Sequence, residues 1–149
     1  MSYAPTEASD PQVKDTFYNQ LQAVLDGIPS SNMTIILGDM NAKVGSRLTG
    51  DNDVVGTYGV GIQYDNVTGF VDLCQRNGLV IGGTIFLHKE IHKGLWRSPD
   101  GYTVKVNQID HICISKQHKA CLLNVRSLRG ADIGLTDRYL VRSKVRVKF

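Results

Sequence analysis

Three acidic positions in this chain stand beside residues that suit phosphate chemistry. Gly38-Asp39-Met40-Asn41 follows an apolar run, and if the chain stays extended there, residues two apart project to one side and set a carboxylate beside an amide. Such a pair orients a water and hydrogen-bonds a phosphoryl oxygen, although glycine, aspartate and asparagine are also ordinary turn residues. Asp110 lies inside Ile109-Asp110-His111-Ile112-Cys113-Ile114, where a charge buried unpaired is costly. It needs a partner, a metal or a wet cleft, or else the strand is an edge with Asp110 in solvent. His111 falls on the opposite face by alternation and reads as structural. Thr136-Asp137-Arg138 sets a hydroxyl, a carboxylate and a cation together, which suits phosphate handling and equally a strand-entry turn.

The elements that must position these residues alternate between helix and strand. Asp10 before Pro11 reads as an N-cap with proline at the first helical position; Val13, Phe17, Leu21, Val24 and Leu25 then recur at helical spacing until Gly27. Thr34-Ile35-Ile36-Leu37 reads as a strand buried on both faces, broken by Gly38, which delivers Asp39 to its C-terminal end. Residues 45–67 read as a long loop. Gly69 to Asn77 predicts a short helix stopped by Gly78, and Leu79 to Ile81 a strand. Thr103 to Ser115, Leu122 to Leu128 and Tyr139 to Phe149 read as further strands, the last with Val141, Val145, Val147 and Phe149 on one face.

Other residues invite chemistry and support it less. His88 and His92 have the spacing of zinc ligands on a helix, but the segment is not His-Glu-x-x-His. Cys113, His118 and Cys121 offer no fourth ligand, and the cysteines read as buried inert thiols. Gly56, Gly59 and Gly61 neither follow a strand nor open a helix, so they read as loop flexibility rather than a phosphate cradle. Arg142, Lys144, Arg146 and Lys148 alternate with apolar positions, as on a solvated or edge-protecting face; a nucleic-acid platform is the rival reading.

Composition sets bounds on all of this. The 149 residues, 42% hydrophobic and 21% charged, suffice for one ordinary domain without repeats or low-complexity tracts. The net charge of +3 hides an asymmetry, with 8 Lys/Arg against 12 Asp/Glu in residues 1–115 and 9 against 2 in residues 116–149, so the tail suits a polyanion. Three cysteines without CxxC spacing, and no leader-like start or membrane-length apolar run, lead us to expect an intracellular protein of the nucleus or cytoplasm.

Taken in order, Tyr3-x-Pro5-Thr6, Gly38-Asp39-x-Asn41-Ala42-Lys43-x-Gly45, Trp96-x-Ser98-Pro99-Asp100-Gly101, Asn107-Gln108-Ile109-Asp110-His111-Ile112 and Gly130-Ala131-Asp132-Ile133-Gly134-x-x-Asp137 resemble the later motifs of the endonuclease/exonuclease/phosphatase (DNase I-like) family. Gly82-Gly83-Thr84-Ile85-Phe86 and His88-Lys89-Glu90-Ile91-His92-Lys93 further resemble the craniofacial development protein 2-like group, which is similar to the endonucleases of non-LTR retrotransposons. The resemblance covers nearly the whole chain. It implies an α+β fold, a four-layer α/β/β/α sandwich, of which residues 1–149 would form the C-terminal part of one domain. It implies hydrolysis of phosphodiesters in nucleic acid, DNA rather than RNA, assisted by Mg²⁺ or Mn²⁺.

On that resemblance Tyr3 would bind phosphate, Asp39 and Asn41 would position the attacking water and transition state, and Asp110 would orient a histidine base. Asp137 would complete the catalytic set; Asn41, Trp96 and Arg138 would contact substrate, and Asp39, Asn41 and Asp137 would offer metal ligands. The chain departs from the family in two places. The family has histidine where Arg138 stands, and arginine stays protonated and cannot act as a base; Asp110 is expected to pair with it instead. The family's earlier half, with its metal-binding glutamate, has no counterpart, so we expect an N-terminally truncated relative with exposed apolar sheet surface, possible self-association through it, and no turnover by itself. The alternative is a non-catalytic relic, a pseudoenzyme that keeps nucleic-acid or protein binding.

Overall fold

The computed structural model describes residues 2–45, 53–59, 67–88, 95–97, 104–106, 110–128 and 140–148, with the backbone alone for 95–97 and 104–106. In chain order the elements are β1 (Ser2–Tyr3), α1 (Pro11–Asp26), β2 (Ile35–Asp39), α2 (Val67–Arg76), β3 (Leu79–Ile81), β4 (Leu95–Arg97), β5 (Val104–Val106), β6 (Asp110–Ser115), β7 (Leu122–Leu128) and β8 (Leu140–Val145). Short 3-10 turns occupy Gly82–Thr84 and Lys116–Cys121. This is a mixed α+β architecture with several sheets and few helices.

The first helix begins where its capping chemistry requires. The Asp10 carboxylate accepts from the Gln12 N–H at 2.8 Å, Pro11 opens the helix, and Gly27 closes it. Phe17, Tyr18 and Leu25 turn inward, whereas Val13 and Val24 remain exposed, so only part of the predicted apolar stripe is used. The second helix starts two residues before the predicted position. It carries Phe70, Leu73 and Cys74 inward and passes through Asn77 and Gly78 into β3.

The central sheet has the order β1-β2-β6-β3, with β1 parallel to β2 and the other pairs antiparallel. Its two faces differ. On one side Ile36, Ile81 and Cys113 meet the helices through Phe70, Val71 and Cys74. On the other, Ile112 and Ile114 pack with Leu122 and Val125 and with Val141 and Val145 of the β7-β8 ribbon. That ribbon covers β6 and leaves β2 bare: Ile35 is 39% exposed and Leu37 46%. The expectation that β2 is buried on both faces is therefore corrected, because among the described residues the continuous apolar run has a covering layer on one side only. The exposed apolar sheet surface anticipated above lies here.

Three further readings change. The predicted strand from Thr103 to Ser115 is two strands in different sheets: β5 pairs with β4, and β6 is central, so Asp110 is not on an edge strand. Gly38 does not break β2, which runs through it to Asp39. The stretch around Gly56 is fastened rather than flexible: the Ile81 N–H donates to the Val54 carbonyl, the Gly56 N–H to the Thr84 hydroxyl, and the Tyr58 N–H to the Thr84 carbonyl. A Cβ on Gly56 would lie 2.2 Å from that same carbonyl oxygen, so a close backbone approach demands glycine. Gly61 and His92 lie outside the described residues.

Candidate functional site

The sheet register brings three of the predicted site residues into one row. Tyr3 pairs with Asp39 across β1-β2, and Asp39 pairs with Asp110 across β2-β6. Directly opposed residues share a face, with Cβ atoms about 4.5–5.5 Å apart in an antiparallel pair. The row opens on a cleft of about 620 Å³, lined chiefly by Ser2, Tyr3, Leu37, Asp39, Asp110 and Val141. Asp39 is buried, Asp110 half-buried and Tyr3 exposed, so the cleft grades from an enclosed acidic floor to an open aromatic rim.

The glycine before Asp39 makes this row possible. A Cβ on Gly38 would lie 2.0 Å from the Ser2 carbonyl oxygen, so only glycine lets β1 approach β2 this closely. Backbone and side-chain bonds then hold β1 down. The Ala4 N–H donates to the Asp39 carbonyl at 2.8 Å, and the Ser2 hydroxyl donates to the Leu37 carbonyl at 3.4 Å.

Asn41 takes a different place from the one its spacing suggested. Its φ of 46° is left-handed, so the chain leaves the extended conformation after Asp39 and the pair does not project as residues two apart on a strand would. Its side-chain amide donates to the Ala4 carbonyl at 2.6 Å, and its backbone N–H donates to the Asp39 Oδ1 at 2.9 Å. Asparagine is among the few residues that tolerate this conformation. Asn41 therefore orients the Asp39 carboxylate and ties down the segment that carries Tyr3. Met40, between them, is a core side chain.

Behind the row His111 faces the helices, as alternation implied. Its ring packs on Phe70 with centroids 5.1 Å apart, and Nε2 lies 2.7 Å from the Ala42 carbonyl. Histidine here links β6 to the backbone that follows Asn41. In the same layer the Cys74 and Cys113 sulfurs are 3.9 Å apart, both fully buried. The hydrogen bond to Cys74, burial, and the charge Cys74 would carry all hold the Cys113 thiol well above its ordinary value. Cys121 is only partly buried, so the inert-thiol reading fits the other two better.

Not every predicted residue joins this row. Trp96 lies on β4, paired with Lys105 in a separate two-stranded sheet. Asp137 and Arg138 lie outside the described residues, as does Thr136. Sequence reasoning missed Val141, which lines the cleft from the ribbon, and the latch from Asn41 to Ala4; the first depends on ribbon docking, which no local pattern reports. Among the described residues no cluster of three or more His, Cys, Asp or Glu is arranged to hold a metal. The opposed Asp39 and Asp110 carboxylates are hard oxygen donors. By donor type they would suit Mg²⁺ or Mn²⁺ with water completing the shell, rather than an all-protein cage.

No helix among the described residues is long and apolar enough to cross a membrane. No protein-family model matches this sequence. The chain is 33% identical over 147 residues to Craniofacial development protein 2 of Tragulus javanicus, and 33% identical over 147 residues to its counterpart in Bos taurus. The matches take in 98% of this chain but 25% and 24% of those proteins, so the chain spans about a quarter of the length of the curated relatives it matches. Over nearly its whole length it is thus similar to one part of craniofacial development protein 2, the group its motifs resemble.

Proposed function

We propose that this chain carries the carboxylate arm of a metal-dependent phosphodiesterase centre of the DNase I-like, four-layer α/β/β/α type, and that it binds a divalent cation and a nucleic-acid phosphodiester there without turning it over by itself. The observation that carries the reading is the row Tyr3, Asp39 and Asp110 across three strands at one cleft. Asp39 and Asp110, paired in register across β2 and β6, are the hard oxygen donors that would hold the cation. The phenol of Tyr3, at the open rim, donates to a phosphate oxygen. Asp39, whose Oδ1 accepts from the Asn41 N–H, would position the attacking water. Mg²⁺ or Mn²⁺ bound here supplies charge neutralisation for the phosphate and its leaving oxygen.

Turnover needs a group that accepts a proton from water, and the motif position that would provide it holds Arg138. Helices on one face of the central sheet and a β-ribbon on the other support the layered reading.

The test pairs binding with catalysis. Mn²⁺ binding by calorimetry is expected for the chain and lost in Asp39→Ala and Asp110→Asn, while supercoiled plasmid with Mg²⁺ or Mn²⁺ stays intact. Equal Mn²⁺ binding by all three proteins would sink the metal centre. Nicking abolished both by EDTA and by Asp39→Ala would show that the chain is an active nuclease and overturn the lack of turnover.

A further inference from the structure

The β7-β8 ribbon has an inner and an outer face, and the charge of the outer face is all basic: half-buried Arg126 with exposed Arg142 and Lys144, beside Asn124, Leu128 and Leu140. Register places Arg126 directly opposite Arg142 and Asn124 opposite Lys144, so these four share the side turned away from Val125 and Val141. Arg142 and Lys144 are exposed, as are Arg146 and Lys148 just beyond the strand. Residues 122–128 and 140–148 hold five Lys/Arg and no Asp or Glu, so the ribbon contains no carboxylate to offset them. Like charges directly opposite across a strand pair destabilise it, and here an arginine pair is kept on a two-stranded ribbon.

We propose that this outer face is a second, metal-independent surface that binds the phosphate backbone of nucleic acid. Same-face residues along a strand recur about every 6.8 Å, so Arg142 and Lys144 stand one repeat apart on β8, and exposed Arg146 and Lys148 follow directly beyond it, giving a run of single positive charges suited to a polymer of single negative charges. The ribbon also adjoins the acidic cleft, because Val141 on its inner face lines that cleft. A backbone held on the ribbon would run beside the carboxylate row while its charge is met outside it. The choice of nucleic acid as the polyanion rests on the function proposed above. The basic surface itself does not depend on it.

A fluorescently labelled 20-base-pair DNA duplex, titrated with the full chain in EDTA at several salt concentrations, tests this. Binding should weaken with salt along a log–log slope of about −3.6 for four phosphate contacts. The triple variant Arg142→Gln, Lys144→Gln, Arg146→Gln should make the slope shallower by about 2.7. Its melting temperature, measured alongside, should be no lower than that of the parent, because all three residues are exposed and Arg142→Gln relieves the repulsion with Arg126.

This binding should need no metal, whereas Mn²⁺ binding should be lost in Asp39→Asn, which separates the two readings. If only Mn²⁺-dependent binding is seen and the triple variant retains it, the ribbon proposal falls and the cleft stands. If EDTA-resistant binding is lost in the triple variant while Asp39→Asn has no effect on Mn²⁺ binding, the cleft falls and the ribbon stands. A triple variant that binds DNA with unchanged slope but aggregates would assign these charges to edge protection and overturn the proposal. Binding to phosphatidylserine vesicles in preference to DNA would overturn it too.

Discussion

The two faces of the central sheet use similar residues to opposite ends. Facing the helices, His111 and Cys113 of β6 are 3% and 0% exposed and are enclosed by Phe70, Cys74 and the Ala42 carbonyl. On the opposite face Ile35 and Leu37 of β2 stand open, and Leu37 lines the cleft with Asp39 and Asp110. The helical side is thus closed over both β2 and β6, whereas on the other side the ribbon closes over β6. The cleft side leaves apolar surface of β2 open near a buried and a half-buried carboxylate, a combination that costs stability.

The sharpest way to break this comparison is to hollow the helical side. Phe70→Ala removes a fully buried ring from between α2 and His111 and is expected to cost about 3–5 kcal/mol, read from urea unfolding. Leu37→Ala in the same assay should cost well under that, since its side chain is already 46% exposed. Comparable losses would mean that both faces are packed in solution, as self-association through the open face would produce.

A smaller effect is expected at the junction of the two faces. Gly38→Val drives a side chain into the Ser2 carbonyl and must lift β1, with an expected cost of about 1–3 kcal/mol. It should also abolish the proposed Mn²⁺ binding, since Tyr3 and Asp39 would lose their register. Retained metal binding would separate β1 from the site.

Asn41→Ala removes the amide bond to Ala4 and places alanine in a left-handed conformation; about 1–2 kcal/mol is expected, by the same unfolding assay. Asn41→Gly should recover part of the loss, because glycine accepts the conformation but cannot supply the bond. If Asn41→Gly and Asn41→Ala are equally stable, backbone strain contributes little there.

Alkaline pH should weaken the helical side gradually. Burial, and secondarily the charge Cys74 would carry, push the Tyr18 hydroxyl from its ordinary 10 up to about 12, and the Cys113 thiol is raised as well. Both groups bind protons more tightly in the folded chain than in the unfolded one, so their stabilisation is whole below their unfolded values and fades as pH rises through the folded ones. The melting temperature should fall from about pH 9 toward pH 12, with Tyr18→Phe showing a shallower decline. A flat profile would place both groups in water.

Short-range chemistry was readable wherever one residue's needs determine the backbone. Asp10 and Pro11 start α1 because a free N–H and a fixed φ require such residues, and Leu79–Ile81 and Leu122–Leu128 form where β-rich runs predict them. The row of Tyr3, Asp39 and Asp110 was legible only as separate motifs. Its assembly depends on which strands pair and in what register, and no local pattern contains that information. Likewise Gly38 could be read as a break or as an approach, and only the neighbouring Ser2 carbonyl decided for approach.

By itself, then, the sequence determined the residue types that can do chemistry, most of the elements that carry them, and the basic character of the last 34 residues. The tertiary structure alone decided that Asp110 belongs to a central strand opposite Asp39, that Asn41 is a latch rather than an extended partner, and that one face of β2 is open. The physical reason is the same in each case: capping, turn and propensity energies act within a few residues. Burial and register are set by contacts between segments far apart in the chain, such as the 37 positions that separate Ala4 from Asn41.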